Sequence, residues 1–279
     1  MPGAFADIIT GLVTAIISGG AVWLWQRGNR TRRVRRKAAF FGVRAGQACL
    51  VVMNRHWQSP RAVARSDVYA LLDIGSLVDE LSGKIDVRSS DELREGIGDR
   101  TEFCIGGPDS NPRTAAHLAS FLPGVVIHPY SETGAPVVIT TGGDRFVRDP
   151  EKREFAIVAR ISPSGAARPV FVISGQTSIT NRAAVHFLRQ HYVDLAKTIG
   201  TRDQFCLIVG VTSPDVYGHQ LVDLEKDVTA TAFPASSAPR LSRGAPGGHP
   251  GLLVEQEEPG VTDDQRAELA GQDGAEGDR

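Results

Sequence analysis

Residues 101–114, TEFCIGGPDSNPRT, decide the fold. Phe103, Cys104 and Ile105 form a short apolar run, the pattern of a strand covered on both faces. Gly106 and Gly107 allow a left-handed backbone or a close approach of another chain segment. Asn111 suits a helix N-cap and Pro112 its first helical position. Ala115, Ala116, Leu118, Ala119 and Leu122 then supply an apolar helical face, and Pro123-Gly124 ends it. Strand, glycine turn and helix start, in that order, predict an α/β protein. The free N–H groups of such a helix start attract anions, here beside Arg113 and Thr114. GGPDSN therefore admits two roles. It is a ligand turn, with Gly106, Gly107, Asp109, Ser110, Asn111, Arg113 and Thr114 as candidate binding residues, or it is only a well-made connection capped by Asn111. It is not the dinucleotide fingerprint G-x-G-x-x-G and has no P-loop lysine, so nucleotide binding is open but not implied.

A second stretch follows the same logic. Residues 169–174 are an apolar strand, followed by Gly175 and a polar turn in which Thr177, Ser178, Thr180 and Asn181 are competent caps. Ala183, Ala184, Phe187, Leu188, Tyr192, Leu195 and Ile199 then mark a long amphipathic helix ending at Gly200. Two strand–turn–helix units can bring two helix N-termini to one crevice, the place where open α/β sheets bind ligands. Gly175, Thr177, Thr180 and Asn181 complete the candidate binding set. The expected ligand is a phosphate-bearing small molecule; no cofactor is identified by these residues.

The pair CIGGPDSN and VFVISGQTSITNRAAVHFL resembles a GGP-x-x-N module of uncharacterised, often membrane-anchored bacterial proteins, and a similar pairing occurs in archaeal surface-layer proteins. The likeness covers about residues 68–211. The second motif of that pattern has an apolar strand, a small-residue turn, a threonine and an alanine-rich helix. Val170–Ile173, Ser174-Gly175, Thr180 and Ala183-Ala184 stand at those places. The resemblance implies an α/β fold and carries no activity or catalytic residues.

Around these units the patterning predicts further elements. Leu50–Met53 and Ile85–Val87 read as strands. A helix is expected from an N-cap at Ser66 through Val68, Leu71, Leu72, Ile74, Leu77, Val78 and Leu81 to Gly83. Val125–His128 is a strand, and residues 137–141 and 146–147 flank Gly142-Gly143-Asp144 as a hairpin. Residues 155–161 and 204–211 are strands, and residues 219–233 add one more at an edge. The sum is a mixed, mainly parallel sheet with flanking helices.

The 279 residues are 41% hydrophobic, enough for one sizeable core with appendages. Net charge is −1, but its distribution is uneven. Ile8–Trp25 carries no charged side chain and spans ~27 Å as a helix, close to a bilayer core of ~30 Å. Arg27, Arg30, Arg32, Arg33, Arg35, Arg36 and Lys37 follow without an acid. Basic charge after the apolar run, rather than before it, favours a transmembrane anchor over a signal peptide. It places the N-terminus outside and the main domain in the cytoplasm. The same run beside a span favours membrane lipid over nucleic acid as partner. From Pro234 onward the chain is Pro, Ala, Gly and Ser, then acidic, and reads as disordered. The expected organisation is a short segment 1–7, a transmembrane helix 8–26, a basic juxtamembrane segment 27–37, an α/β domain 38–233 and a tail 234–279.

Cys49, Cys104 and Cys206 each lie in an apolar run and form no CxxC pair, so they read as buried thiols. His186 and His191 are five apart and do not pair for a metal. No HExxH, zinc-ribbon or EF-hand spacing occurs, and no metal site is expected. No catalytic set is legible either. The composition and motifs lead to a membrane-tethered cytoplasmic ligand-binding or sensor module. The alternatives are a nucleotide or nucleoside hydrolase, with Asp109, Glu102 or Asp67 as acid–base groups, and an envelope interaction protein. Protein partners are not readable.

Overall fold

The computed structural model describes residues 23, 25–54, 62–128, 137–200 and 204–233. A helix, α1, runs over residues 25–41. It leads into β1 (Ala48–Met53), α2 (Arg65–Glu80), β2 (Lys84–Ser89), β3 (Glu102–Ile105) and α3 (Pro112–Phe121). Three short strands follow: β4 (Val125–His128), β5 (Val138–Thr141) and β6 (Asp144–Val147). The chain continues through β7 (Arg153–Ile161), β8 (Val170–Gly175), α4 (Ser178–Thr198), β9 (Phe205–Thr212), α5 (Pro214–Tyr217), β10 (Val222–Asp227) and α6 (Thr229–Ala232).

The main sheet has seven strands in the order β10-β9-β7-β8-β3-β1-β2, and β4-β5-β6 form a separate antiparallel sheet. The fold is α/β with a mixed sheet, as the patterning predicts. Its halves differ. β2, β1, β3 and β8 pair in parallel, whereas β8–β7, β7–β9 and β9–β10 are antiparallel. The sheet is thus not mainly parallel by pairing. The short loop from β7 to β8, with its Pro163/Gly165 turn, reverses the chain directly, while parallel neighbours need a crossover.

The alternation of side chains divides the interior into layers. Val51, Met53, Phe103, Phe171, Val158 and Leu207 face α1, α2 and α4. Val170, Val172, Ile157 and Ile208 face α3, the small sheet and α6. α2 and α4 thus cover the same face, although the chain leaves β1 toward one edge of the sheet and β8 toward the other. The two crossovers therefore have opposite hands, one of them against the usual right-handed preference.

Among the described residues, α1 packs on the domain through its C-terminal half. Phe40 and Phe41 are fully buried against Phe171, Tyr192 and Phe205, and Lys37 pairs with Glu80. Upstream, Arg27, Arg30, Arg32, Arg33, Arg35 and Arg36 are exposed, as are Trp23 and Trp25. The basic segment is thus helical and runs without a break into the core of the domain. The expected anchor Ile8–Trp25 lies outside the described residues apart from its two tryptophans, and so does the tail 234–279. Among the described residues no helix is long and apolar enough to cross a membrane.

Two local expectations are corrected. The N-cap of α2 is Ala64, not Ser66. Ser66 falls inside the first turn because Asp67 is drawn into the interior by two asparagines. The edge strand expected over residues 219–233 is confined to β10 (Val222–Asp227), and a short helix, α6 (Thr229–Ala232), takes up the end of that segment.

Candidate functional site

β3 and β8 are parallel neighbours, with Ile105 opposite Ile173, and the N–H of Gly106 donates to the carbonyl of Ile173 at 2.9 Å. Both glycine corners therefore lie side by side at one end of the sheet. β1 ends beside them. From these three ends α2 and α4 leave on one face and α3 on the other. Where neighbouring connections part to opposite faces, a crevice is left outside the strand ends. Here it is a cleft of about 620 Å³. Its floor is Asn54, Asp67, Gly107 and Gly175; Asp109, Ser110, Thr177 and Asn181 stand around it; Ile127 of β4 and Val137, just before β5, make an apolar wall.

Close packing explains the glycines. At Gly106, with φ of 108°, a Cβ would come within 2.5 Å of the Asn54 Cβ. At Gly175 a Cβ would run into Thr180 Oγ1 and come within 2.8 Å of the Asn181 backbone nitrogen. The helix N-terminus is thus seated directly on the strand end. α4 is closed by a reciprocal box: Thr177 accepts from the N–H of Thr180, and Thr180 Oγ1 accepts from the N–H of Thr177. The first-turn N–H groups at Ser178 and Ile179 have no acceptor inside the helix.

Asn111 holds the other turn. Its Oδ1 accepts from the N–H groups of Arg113 and Thr114, both at 3.1 Å. Its Nδ2 donates to the carbonyls of Ile105 at 2.9 Å and Val52 at 3.3 Å. One fully buried amide therefore joins the ends of β1 and β3 to the start of α3.

A second buried polar group lies across the cleft floor. Asp67 Oδ2 accepts from Asn54 Nδ2 at 3.0 Å and Asp67 Oδ1 from Asn181 Nδ2 at 2.8 Å, while Asn181 Oδ1 accepts from the N–H of Gly175 at 2.6 Å. A carboxylate can only accept, so it fixes which way both amides point. Asn54 Oδ1 is left facing away from Asp67, buried and without a partner. Among the described residues, the cleft lining carries two carboxyls, Asp67 and Asp109, and no Lys or Arg. Burial at the cleft lip pushes the Asp109 carboxyl above its ordinary range.

The candidate residues divide. Gly107, Asp109, Ser110, Gly175, Thr177 and Asn181 line the cleft; Gly106, Asn111, Arg113, Thr114 and Thr180 do not. Asn111, Thr114 and Thr180 are buried supports. Arg113 turns to the outer side of α3. Its Nε and Nη2 donate to the two oxygens of buried Glu102, both at 2.9 Å. His117 Nε2 sits 2.8 Å from Glu102 Oε1, and Cys104 Sγ donates to the same oxygen at 3.1 Å. Burial alone would raise the Glu102 carboxyl, but Arg113 and His117 outweigh it and bring it down to about 2. Glu102 is therefore a buried ionised group away from the cleft, not a proton donor in it. Among the described residues, Glu102, Cys104 and His117 also come within metal-ligand spacing of one another. The guanidinium of Arg113 already occupies both carboxylate oxygens there.

Asn54, Gln176 and Ser178 line the cleft as well and were not singled out as binding residues. Gln176 ties the two sheets together: its Nε2 donates to the carbonyls of Val137 and Phe146, and its Oε1 accepts from the N–H of Phe155. The available signal was positional. Asn54 is the first polar residue after the apolar run of β1, and Gln176 directly follows Gly175 at the end of β8. Comparison of the chain with protein-family models, curated proteins and solved structures gives no significant match.

Proposed function

We propose that the chain is a membrane-tethered binding or sensor module whose cleft takes a small polar metabolite. The observation that carries this reading is the convergence of Asn54, Asp67 and Asn181 with the first turns of α3 and α4 in one cleft. Backbone N–H groups at Gly107 and at the start of α4 favour an anionic group such as a phosphate. The two carboxyls of the cleft, Asp67 and Asp109, disfavour a bare polyphosphate. A singly phosphorylated or uncharged nucleoside- or sugar-like body fits better, with a hydroxyl or amine donating to Asn54 Oδ1. The tether is Ile8–Trp25 with its basic flank, the domain facing the cytoplasm. The exposed arginines of α1 support that placement.

Thermal unfolding of the purified chain against nucleosides, nucleotides and sugar phosphates tests the ligand. A hit that stabilises the wild type and not Asn54→Ala supports the reading, and no response across all three classes sinks it. Protease treatment of sphaeroplasts tests the tether: an inward domain stays intact until the membrane is opened. A second reading is favoured by Asp109, whose raised carboxyl at the cleft lip suits a general acid in hydrolysis of such a ligand. It requires product formation that Asp109→Asn abolishes while binding persists.

A further inference from the structure

β2 closes one edge of the main sheet with the sequence Lys-Ile-Asp-Val-Arg-Ser. In register with β1, Ile85 lies beside Cys49 and Val87 beside Val51, so both apolar side chains share the face that α2 covers. They are nevertheless 44% and 42% exposed. Val68 and Leu72, one turn apart on α2, are exposed as well. Gly75 continues that side of the helix, and a Cβ there would stand 3.5 Å from Ile85 Cδ1. An apolar strip thus runs from α2 over the sheet edge. Lys84, Asp86 and Arg88 alternate with it on the other face. Asp86 accepts from Arg88 Nε at 3.0 Å and from Arg100 Nη1 at 2.8 Å. The backbone of this edge is also open. The N–H of Lys84 donates to the carbonyl of Gln47, and the N–H of Ser90 to that of Met53. Even-numbered residues therefore turn their backbone groups toward β1. Ile85, Val87 and Ser89 turn theirs outward, where the sheet has no further strand among the described residues.

A free edge with apolar flanks is a template for another strand, and the charges of β2 select which one. A two-fold axis normal to the sheet sets β2 antiparallel to a copy of itself and keeps like faces together. Centred on Val87, this pairing puts Asp86 opposite Arg88 of the copy, and Arg88 opposite its Asp86, at the close positions between backbone bonds. Val87 meets its own copy through two backbone bonds. The N–H of each Ser89 reaches the Ile85 carbonyl across the axis, for about four bonds in all; the Ser89 carbonyl already accepts from Glu92. Centred on Asp86, the same strands would oppose Asp86 to Asp86 and Lys84 to Arg88, like against like. Centred on Ile85, Val87 would face Gly83, whose N–H is already given to Val78. We propose that the edge of β2 is a dimerisation surface for a second copy of this chain. It is centred on Val87 and joins two seven-stranded sheets into one, with Val68 and Leu72 of both α2 helices covering the seam. None of these residues lines the cleft.

The test uses the full chain in mild non-ionic detergent, with light scattering for mass and cysteine cross-linking for register. The wild type should have the mass of a dimer. Directly opposed residues that exchange backbone bonds have Cα atoms ~5.5 Å apart, within disulfide range. Val87→Cys should therefore give a disulfide-linked dimer on oxidation with copper–phenanthroline, and the buried native cysteines should not contribute. Ile85→Cys and the control Val216→Cys, 74% exposed on α5, should cross-link far less. Arg88→Glu, which would face Asp86 of the copy, should raise the dimer dissociation constant at least about tenfold, with an unchanged circular dichroism spectrum. A monomeric wild type overturns the proposal. So does cross-linking of Val87→Cys no faster than that of Val216→Cys, or wild-type dimer affinity in Arg88→Glu. Cross-linking through Ile85→Cys in preference to Val87→Cys overturns it too, since the axis would then lie elsewhere.

Discussion

Changing Asn111 to aspartate separates two accounts of the central turn. If Asn111 were only a helix cap, Asn111→Asp would be neutral or slightly favourable, because both residues cap well and negative charge suits a helix N-terminus. The structure adds two bonds that a cap does not need, from Nδ2 to the carbonyls of Ile105 and Val52. Aspartate keeps the two bonds to Oδ1 and points a second oxygen at those carbonyls. Two lost bonds at ~1 kcal/mol each, plus ~1–3 kcal/mol for buried groups left unmet, give roughly 3–5 kcal/mol. At ~2–4 °C per kcal/mol for a domain of this size, the melting temperature falls by about 10 °C. Asn111→Ala, which loses all four bonds, should fall at least as far. Urea unfolding followed by circular dichroism reads the change as a lower midpoint at unchanged slope. A midpoint for Asn111→Asp equivalent to within about 0.5 kcal/mol of wild type would refute the claim that this amide ties the strand ends together.

Glu102 makes stability depend on pH at the acid end. Its carboxyl lies at about 2 in the fold against an ordinary 4.5, so its contribution is present above 4.5 and is lost as pH falls toward 2. At ~1.36 kcal/mol per pH unit that is roughly 3 kcal/mol; Glu102→Gln should flatten the urea midpoint over this window, and an unchanged slope would contradict the network. Cys49, Cys104 and Cys206 are buried, and burial pushes all three thiols up, Cys49 to about 11. A thiol reagent at pH 8 should therefore modify none of them in the native protein and all three in urea; rapid native labelling would show the strands open. Gly175→Ala should cost about 2 kcal/mol or more, since the atoms it meets include the α4 backbone. Wild-type stability there would mean that α4 sits further from β8 than described.

Much of the fold could be read from short stretches. Phe103–Ile105 and Val170–Ile173 are apolar on both sides, and both prove to be central strands buried on two faces. Asn111-Pro112 marked the start of α3 to the residue. Gly142-Gly143 marked the β5–β6 turn, where both residues have positive φ. The misreadings arose where a distant partner overrode a local preference. Ser66 is a good cap by itself, yet the cap falls two residues earlier, at Ala64, because Asp67 is held from inside by Asn54 and Asn181. Arg113 stands in a sequence position suited to an anion site, but it faces Glu102, its partner eleven residues back on the other side of α3.

Local chemistry settled the strand–glycine–helix units, the caps of α3 and α4, the basic run and the burial of the cysteines. Each depends on backbone preference or on a periodicity of a few residues. Only the tertiary structure decided that both glycine corners open into one cleft and that Asp67 lies on its floor. Strand order and the hydrogen bonds of buried polar groups join residues dozens of positions apart. Their energies belong to pairs of segments, so neither segment carries the pairing in its own residues.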